Sequence, residues 1–242
     1  MRNHKTTYIL IHGAWHGSWC WKRVRAALQY AGHNVFTPTL TGLGERLRLN
    51  SAAVDLSTHI ADIVNLIQWE ELSNVVLCGH SYAGSVITGV VDQIPDRIRA
   101  LVFLDAFLLE NGESLMDILP SEIAQAVRDQ AKTAGEGWKT NPVPAHLLAV
   151  RDPRDAAWVD AQCTPQAIAT FEERIQLTGS LEHIQDIAYM MPTECHPNLL
   201  VSHERVRARS WKVRTIDNSG HEVMIDQPHR LADFLLEYAS SD

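Results

Sequence analysis

The run Val75-Val76-Leu77-Cys78-Gly79-His80-Ser81-Tyr82-Ala83-Gly84 limits what this chain can fold into more than any other part of it. It passes from a buried apolar run into a helix through a tight turn with Ser81 at its tip. Such a turn strains the backbone of its central residue and demands small neighbours, which Gly79, Ala83 and Gly84 supply. The pattern is G-x-S-x-G with Ala83, one methyl larger, in its last position. Ser81 is therefore a candidate nucleophile. Short patterns of this kind also arise by chance, so the segments that share its neighbourhood must decide.

Two other segments do. Tyr8-Ile9-Leu10-Ile11 reads as a buried strand running into His12-Gly13-Ala14-Trp15-His16-Gly17, a glycine-punctuated loop able to present a backbone N–H beside the serine. Near the far end, Trp211 to Ile216 reads as another strand, followed by Asp217-Asn218-Ser219-Gly220-His221, a loop able to deliver an imidazole to the same place. Serine before histidine is also the chain order expected where such an elbow carries a triad. Three strand ends thus converge on one edge of a parallel sheet, where open α/β folds keep their sites.

Strand-like runs alternate with amphipathic stretches over the first hundred residues, which predicts a mostly parallel, doubly wound sheet with helices on both faces. Helices are expected over Trp19 to Tyr30, ended by Gly32, and around Ile60, Ile63, Val64 and Ile67, with Ser57 or Thr58 as N-cap. Val86, Ile87, Val90, Val91 and Ile94 mark the inner face of the helix after the elbow. Val35-Phe36, Val75 to Leu77 and Ala100 to Leu104 are the intervening strands. Past Leu104 the alternation breaks. Residues 109–180 carry helical patterns interrupted by Pro120, Pro142, Pro144, Pro153 and Pro165, with no strand expected, and read as a helical lid over the active edge. The core, 1–108 and 181–242, resumes with a strand at Ile187 to Met191, a helix at Leu199 to Arg209, a strand at Lys212 to Ile216 and a helix at His229 to Tyr238.

The 242 residues suffice for one large domain with an insertion. A net charge of −8 without a basic stripe opposes binding to phosphate backbones, so no nucleic-acid partner is expected. Met1-Arg2-Asn3-His4-Lys5 leads into a short apolar strand and no stretch approaches the length of a bilayer span, so the expectation is a cytoplasmic protein without a membrane partner. Cys20, Cys78, Cys163 and Cys195 lack C-x-x-C spacing and read as packing residues. His12 and His16 lack the helix and glutamate of H-E-x-x-H, so neither metal nor cofactor is expected.

With these pieces in place, the chain resembles the α/β-hydrolase superfamily and, within it, the small esterases of the plant methylesterase and hydroxynitrile lyase group and their bacterial relatives. The resemblance runs over nearly the whole chain. It is carried by His12-Gly13-Ala14-Trp15-His16-Gly17-Ser18-Trp19-Cys20-Trp21, by Gly79-His80-Ser81-Tyr82-Ala83-Gly84, and by Ser219-Gly220-His221 followed by Met224-Ile225-Asp226-Gln227-Pro228. It implies that Ser81 attacks an acyl carbonyl, that His221 removes its proton, and that the backbone N–H groups of Ala14 and Tyr82 form the oxyanion hole. For the acid, many relatives place a carboxylate after the penultimate strand, where this chain offers Glu194. The alternative is Asp105 at the carboxyl end of strand Ala100 to Leu104, a position that looks like the acid of some haloalkane dehalogenases. A carboxylate closing a buried strand is costly unless paired, and an imidazolium would pair it. Asp105 is the first choice and Glu194 the second.

The expected activity is a serine carboxylesterase acting on a small, largely apolar ester, with a homodimer compatible with the sequence. Trp15, Met116, Leu119, Trp138 and Trp158 are candidates to line the substrate pocket beneath the lid. His12 and His80 are expected to orient backbone turns, and Glu45 and Arg46 to anchor a loop. A cyanohydrin lyase is disfavoured, because hydroxynitrile lyases of the group carry threonine where this chain has Gly13 and lysine where it has Glu222. Cofactor-free dioxygenases, carbon–carbon hydrolases and hydrolase-fold receptors are the other readings.

Overall fold

The computed structural model describes residues 5–194 and 196–239, so residues 1–4, Cys195 and residues 240–242 lie outside the described residues. Six parallel strands form the central sheet: β1 (Thr7–Ile11), β2 (Asn34–Phe36), β3 (Val75–His80), β4 (Ile98–Leu104), β7 (Asp186–Pro192) and β8 (Lys212–Ile216). Their spatial order is β2-β1-β3-β4-β7-β8, with every neighbouring pair parallel. Between β4 and β7 lies a two-stranded antiparallel ladder, β5 (Lys139–Thr140) and β6 (Gln166–Ala167).

Alternate side chains of the sheet feed two cores. Ile9, Leu77, Leu101 and Ile187, in register across the sheet, meet α2 (Leu56–Trp69) and α3 (Ala83–Gln93) through Ile60, Ile63, Val86, Ile87 and Val90. Leu10, Cys78, Val102 and Ala188 face the other way, toward Val24 and Leu28 of α1 (Lys22–Tyr30) and Leu231 and Leu235 of α10 (Pro228–Leu236). Strands apolar on both sides are what a parallel sheet sandwiched between helices requires. The doubly wound α/β fold is as the sequence leads one to expect.

Some local expectations are corrected. The helix expected from Trp19 begins as a 3-10 turn at Ser18–Trp21 and becomes α-helical only at Lys22. It ends as expected at Gly32, whose φ of +95° suits a residue without a β-carbon. The N-cap of α2 is Asp55, not Ser57 or Thr58: the Asp55 carboxylate accepts from the Thr58 N–H at 2.8 Å, and Thr58 closes a capping box as the third helical residue. Ser57 is drawn instead to Glu173, its hydroxyl donating at 2.5 Å.

The stretch between β4 and β7 contains α4 (Leu115–Ile118), α5 (Ser121–Ala134), α6 (Pro153–Gln162) and α7 (Ala169–Glu172). The β5–β6 ladder corrects the expectation that this stretch holds no strand. Two residues per strand are too few for alternation to register in a sequence. α8 (Leu200–Arg207) and the single turn α9 (Val223–Asp226) complete the chain. Among the described residues no helix is long and apolar enough to cross a membrane. Cys20 and Cys78 are buried free thiols, and Cys163 is a half-buried one.

Candidate active site

The carboxyl ends of β1, β3, β4 and β8 open onto one edge of the sheet, and each contributes to a single cluster. Ser81 follows β3 directly with φ +53°, a left-handed conformation held by its N–H donating to Leu104 O at 3.1 Å and by its carbonyl accepting from Phe107 N. Glycine on either side is a steric necessity. A β-carbon on Gly79 would sit 2.7 Å from Ala83 O, and one on Gly84 would sit 2.2 Å from Phe107 O. Gly13 lets the loop after β1 press against the turn, since its β-carbon would fall 2.9 Å from that of Ser81. α3 begins immediately after the serine, so its N-terminal dipole lies against any negative charge that develops there.

The loop after β8 brings His221 to the serine. The Ser81 hydroxyl donates to His221 Nε2 at 2.9 Å, and His221 Nδ1–H donates to Asp105 Oδ2 at 2.6 Å. The loop is held by the His221 N–H donating to Leu148 O, by the Gly220 N–H donating to Asp226, and by the His80 Nε2–H donating to His221 O. Asp105 follows β4 with φ +40° and is fully buried. Its second oxygen accepts from His203 Nε2–H of α8 at 3.3 Å. Tyr189 steadies the next peptide, its hydroxyl donating to Ala106 O and accepting from Ala106 N.

Charge follows from this geometry. Burial pushes the Asp105 carboxyl up, but hydrogen bonds from His203 and His221 outweigh it and hold the group below the usual carboxylate range. Burial likewise pulls the His221 imidazole down, and the Asp105 hydrogen bond and charge reverse this, leaving it above the ordinary histidine value. Glu194 lies elsewhere: its side chain is 72% exposed and pairs with Arg151 at 2.8 Å. Asp217 accepts from Thr193 Oγ1 as a turn residue.

The loop after β1 is tethered on every side. Burial leaves His12 neutral, its pKa pulled down to about 3, with Nδ1–H donating to Gly13 O and Nε2 accepting from Leu40 N–H. Trp15, at φ +63°, donates from its backbone to Gln166 Oε1 and from its indole to Thr140, which ties the loop to the β5–β6 ladder. Among the described residues the N–H groups of Ala14 and Tyr82 have no acceptor, and both residues border the same cavity as Ser81. Tyr82 is fixed through its hydroxyl, which donates to His59 Nδ1.

That cavity, about 440 Å³, is bordered by Ser81 and His221 below and by Trp15, Phe107, Leu115, Leu119, Ile123 and Phe171 around and above. Of the pocket residues expected from sequence, Trp15 and Leu119 line it. Met116, Trp138 and Trp158 do not. Met116 is buried in the apolar core, Trp138 stacks under Lys139, and Trp158 packs edge-on against Trp19 with Arg23 above it. Those indoles serve packing, which their composition alone could not distinguish from a lining role.

Sequence reasoning passed over His203, which shares Asp105, and did not pair His16 with Glu222, which lie buried 3.5 Å apart in the cavity wall. Burial lowers the His16 pKa, but Glu222 and Cys163 outweigh it and carry it up to about 10, so His16 is protonated. The available signal was spacing: His203 falls four residues after Leu199 and three before Val206, on the apolar side of a helix. His80, His221 and Glu222 present ligand-type atoms within 4.8 Å of one another, but both ring nitrogens of His221 are already engaged by Ser81 and Asp105, so the set is not a ready metal cage.

A hydroxyl donating to an imidazole whose other N–H is held by a carboxylate is an arrangement for transferring the hydroxyl proton as its oxygen attacks an electrophile. A family model described as the alpha/beta hydrolase family matches residues 8–234. The chain is 41% identical over 238 residues to a carbendazim hydrolyzing esterase of Nocardioides sp. (strain SG-4G), covering 94% of this chain and 97% of that one. It is 30% identical over 255 residues to putative methylesterase 11, chloroplastic, of Arabidopsis thaliana, covering 96% of this chain but 63% of the relative. Among solved structures, an extracellular alpha/beta-hydrolase from a Paenibacillus species, described as sharing structural and functional homology with tobacco salicylic acid binding protein 2, superposes with a TM-score of 0.83 at 25% identity, covering 98% of this chain and 100% of the other. Polyneuridine aldehyde esterase, at 18% identity and a TM-score of 0.76, shares the fold.

Proposed function

The chain belongs to the alpha/beta hydrolase family and is a carboxylic-ester hydrolase, and from that premise we propose that it works as a serine esterase through an acyl-enzyme on Ser81. His221 Nε2 takes the hydroxyl proton as Ser81 Oγ attacks the ester carbonyl, then returns it to the departing alcohol. Asp105 holds the imidazole in the tautomer that accepts at Nε2 and stabilises the imidazolium that forms. The N–H groups of Ala14 and Tyr82 receive the oxyanion, where one donor is typically worth about 3 kcal/mol of transition-state stabilisation. Water, activated by the same histidine, then releases the acid. No step needs a cofactor.

The observation that carries this reading is the unbroken chain Ser81–His221–Asp105, at 2.9 and 2.6 Å, below an otherwise unoccupied stretch of backbone donors. The apolar lining supports a small, largely apolar ester, and α4 and α5 across the cavity mouth support a lid formed by residues 109–180. Carbendazim, named for the relative, is a first substrate to assay. The decisive test is Ser81→Ala: hydrolysis of p-nitrophenyl acetate should drop to background, and retained activity in purified S81A would remove the proposal.

A further inference from the structure

Beside Ser81 the loop after β1 carries a run of backbone polar groups, from Gly13 O through the Ala14 and Trp15 peptides to Trp15 O, and all but one are spent. Gly13 O accepts from His12 Nδ1–H at 2.8 Å, Ala14 O from His16 Nδ1–H at 2.7 Å, and Trp15 O from the Thr164 N–H at 2.8 Å. The Trp15 N–H donates to Gln166 Oε1 at 2.8 Å. Among the described residues only the Ala14 N–H is left over, and Ala14 borders the cavity together with Ser81. Thr164 and Gln166 both come from the insertion. Gln166 is 1% exposed and held at its other end: Nε2 donates to Thr170 Oγ1 at 2.8 Å, and the Thr170 hydroxyl donates to Ala167 O at 2.7 Å. With that hydroxyl proton committed Thr170 can only accept, so the amide cannot turn over and Oε1 is kept toward Trp15. The grip has strain to resist, because Trp15 at φ +63° is in a left-handed conformation that a bulky residue keeps only where its surroundings impose it. Thr140, the cross-strand partner of Gln166 in the ladder, accepts from the indole of the same tryptophan at 2.9 Å.

We propose that Gln166 is a positioning residue for the oxyanion hole. By fixing the Ala14–Trp15 peptide it sets the direction of the neighbouring Ala14 N–H, and the β5–β6 ladder acts as a brace that keeps the β1 loop in its working shape. The inference rests on the serine esterase reading and adds the element that makes one of its two oxyanion donors precise. Donors fixed in advance stabilise the transition state because they need not reorient as charge develops, so a loosened Ala14 peptide costs rate without costing ground-state binding. Gln166 itself does not border the cavity, which separates its role from that of a substrate contact.

The test compares two ketones of similar shape as inhibitors. 2,2,2-Trifluoroacetophenone takes the Ser81 oxygen onto its carbonyl carbon, with the hydroxyl proton passing to His221, and so places an oxyanion in the hole; acetophenone binds without forming the adduct. In Gln166→Leu, kcat/KM for p-nitrophenyl acetate and the affinity for the trifluoroketone should fall together by about 10- to 100-fold, short of the roughly 10²–10³ that outright loss of a donor can cost. Affinity for acetophenone should stay at the native value. A variant that keeps native kcat/KM and trifluoroketone affinity would show the tether to be idle, and equal losses for both ketones would show that Gln166 only supports the pocket; either result overturns the assignment. Should Q166L not fold, Thr170→Val frees the Gln166 amide to turn while preserving bulk, and the same split between the ketones is expected at smaller size, its absence counting against the proposal. Failure of the serine esterase reading has a separate signature, a native enzyme that binds the two ketones equally.

Discussion

At the scale of single residues, the decisive question is which carboxylate serves His221. Asp105 lies at hydrogen-bond distance and Glu194 points to solvent, so the two should respond oppositely to neutralisation. Asp105→Asn should lower kcat by about 10⁴, the loss that the matching change causes in a serine protease, whereas Glu194→Gln should leave it unchanged. The pH profile adds an independent check. Catalysis needs neutral imidazole, and Asp105 raises the His221 pKa, so activity should fall as pH drops through a value above the ordinary ~6.5. In D105N the hydrogen bond to a charged acceptor is gone, and the acid limb should move to lower pH. A limb that stays put in D105N would mean that another group controls it. The choice between the two carboxylates was open in sequence because both follow apolar strands. What separates them is tertiary: a left-handed turn and His203 from α8 hold Asp105 against His221, while Glu194 lies at the surface with Arg151.

At the scale of elements, the strands and helices that carry the cluster were legible because each is an apolar run with the right period, ended by a residue that stops it. Val75 to Gly84 shows the strand, the turn and the helix in ten consecutive residues, and Gly32 and Pro95 mark helix ends where they occur. The insertion was not legible in the same way. Its β5–β6 ladder is two residues deep, and its contacts to the β1 loop run through Thr140 and Gln166, whose polarity says nothing about partners so distant in sequence. Met116, Trp138 and Trp158 were misplaced for the same reason: apolar character marks burial without saying which cavity or core receives it. Where the histidine loop meets this insertion, contact is close enough to test. A β-carbon on Gly220 would lie 2.1 Å from Ala149 O and 2.7 Å from Leu148 O, and backbone cannot yield as a flexible side chain can. Gly220→Ala should therefore push the loop away, moving His221 off Ser81. We expect a fall in kcat of at least about 10²-fold, since a displacement near 1 Å in catalytic geometry is enough for that. Thermal unfolding should drop as well, and a fully active G220A would show that the loop repacks without loss.

For the whole molecule, the pattern of buried histidines sets how stability responds to acid. His12, pulled down to about 3, and His80, pulled well below the ordinary value, are neutral in the folded protein because burial opposes their charge; His59 is lowered by the same cause, and His196 is carried down to about 4. In the unfolded chain each would bind a proton near pH 6.5, so the unfolded state takes up more protons as pH falls below that value. At pH 5.5 a histidine that stays neutral in the fold costs roughly 1.4 kcal/mol, and His12 and His80 together roughly 3 kcal/mol. His16 and His221 work in the opposite sense: their folded pKa values are raised, so their contributions are fully present below pH 6.5 and are lost only as pH climbs through those raised values, about 10 for His16. Because the unfolded chain is already at least half protonated at these positions below pH 6.5, they offset only a small part of the slope between pH 6.5 and 5.5, a window in which ordinary carboxylates remain ionised in both states. Urea unfolding followed at pH 7.5, 6.5 and 5.5 should show the midpoint falling steadily across the lower two values with little change in m, and replacing His12 with Gln should reduce that slope by about one proton even though it weakens the fold at neutral pH by freeing Gly13 O and Leu40 N. A midpoint that does not move between pH 6.5 and 5.5 would mean that water or side-chain motion admits protons to these rings in the folded state.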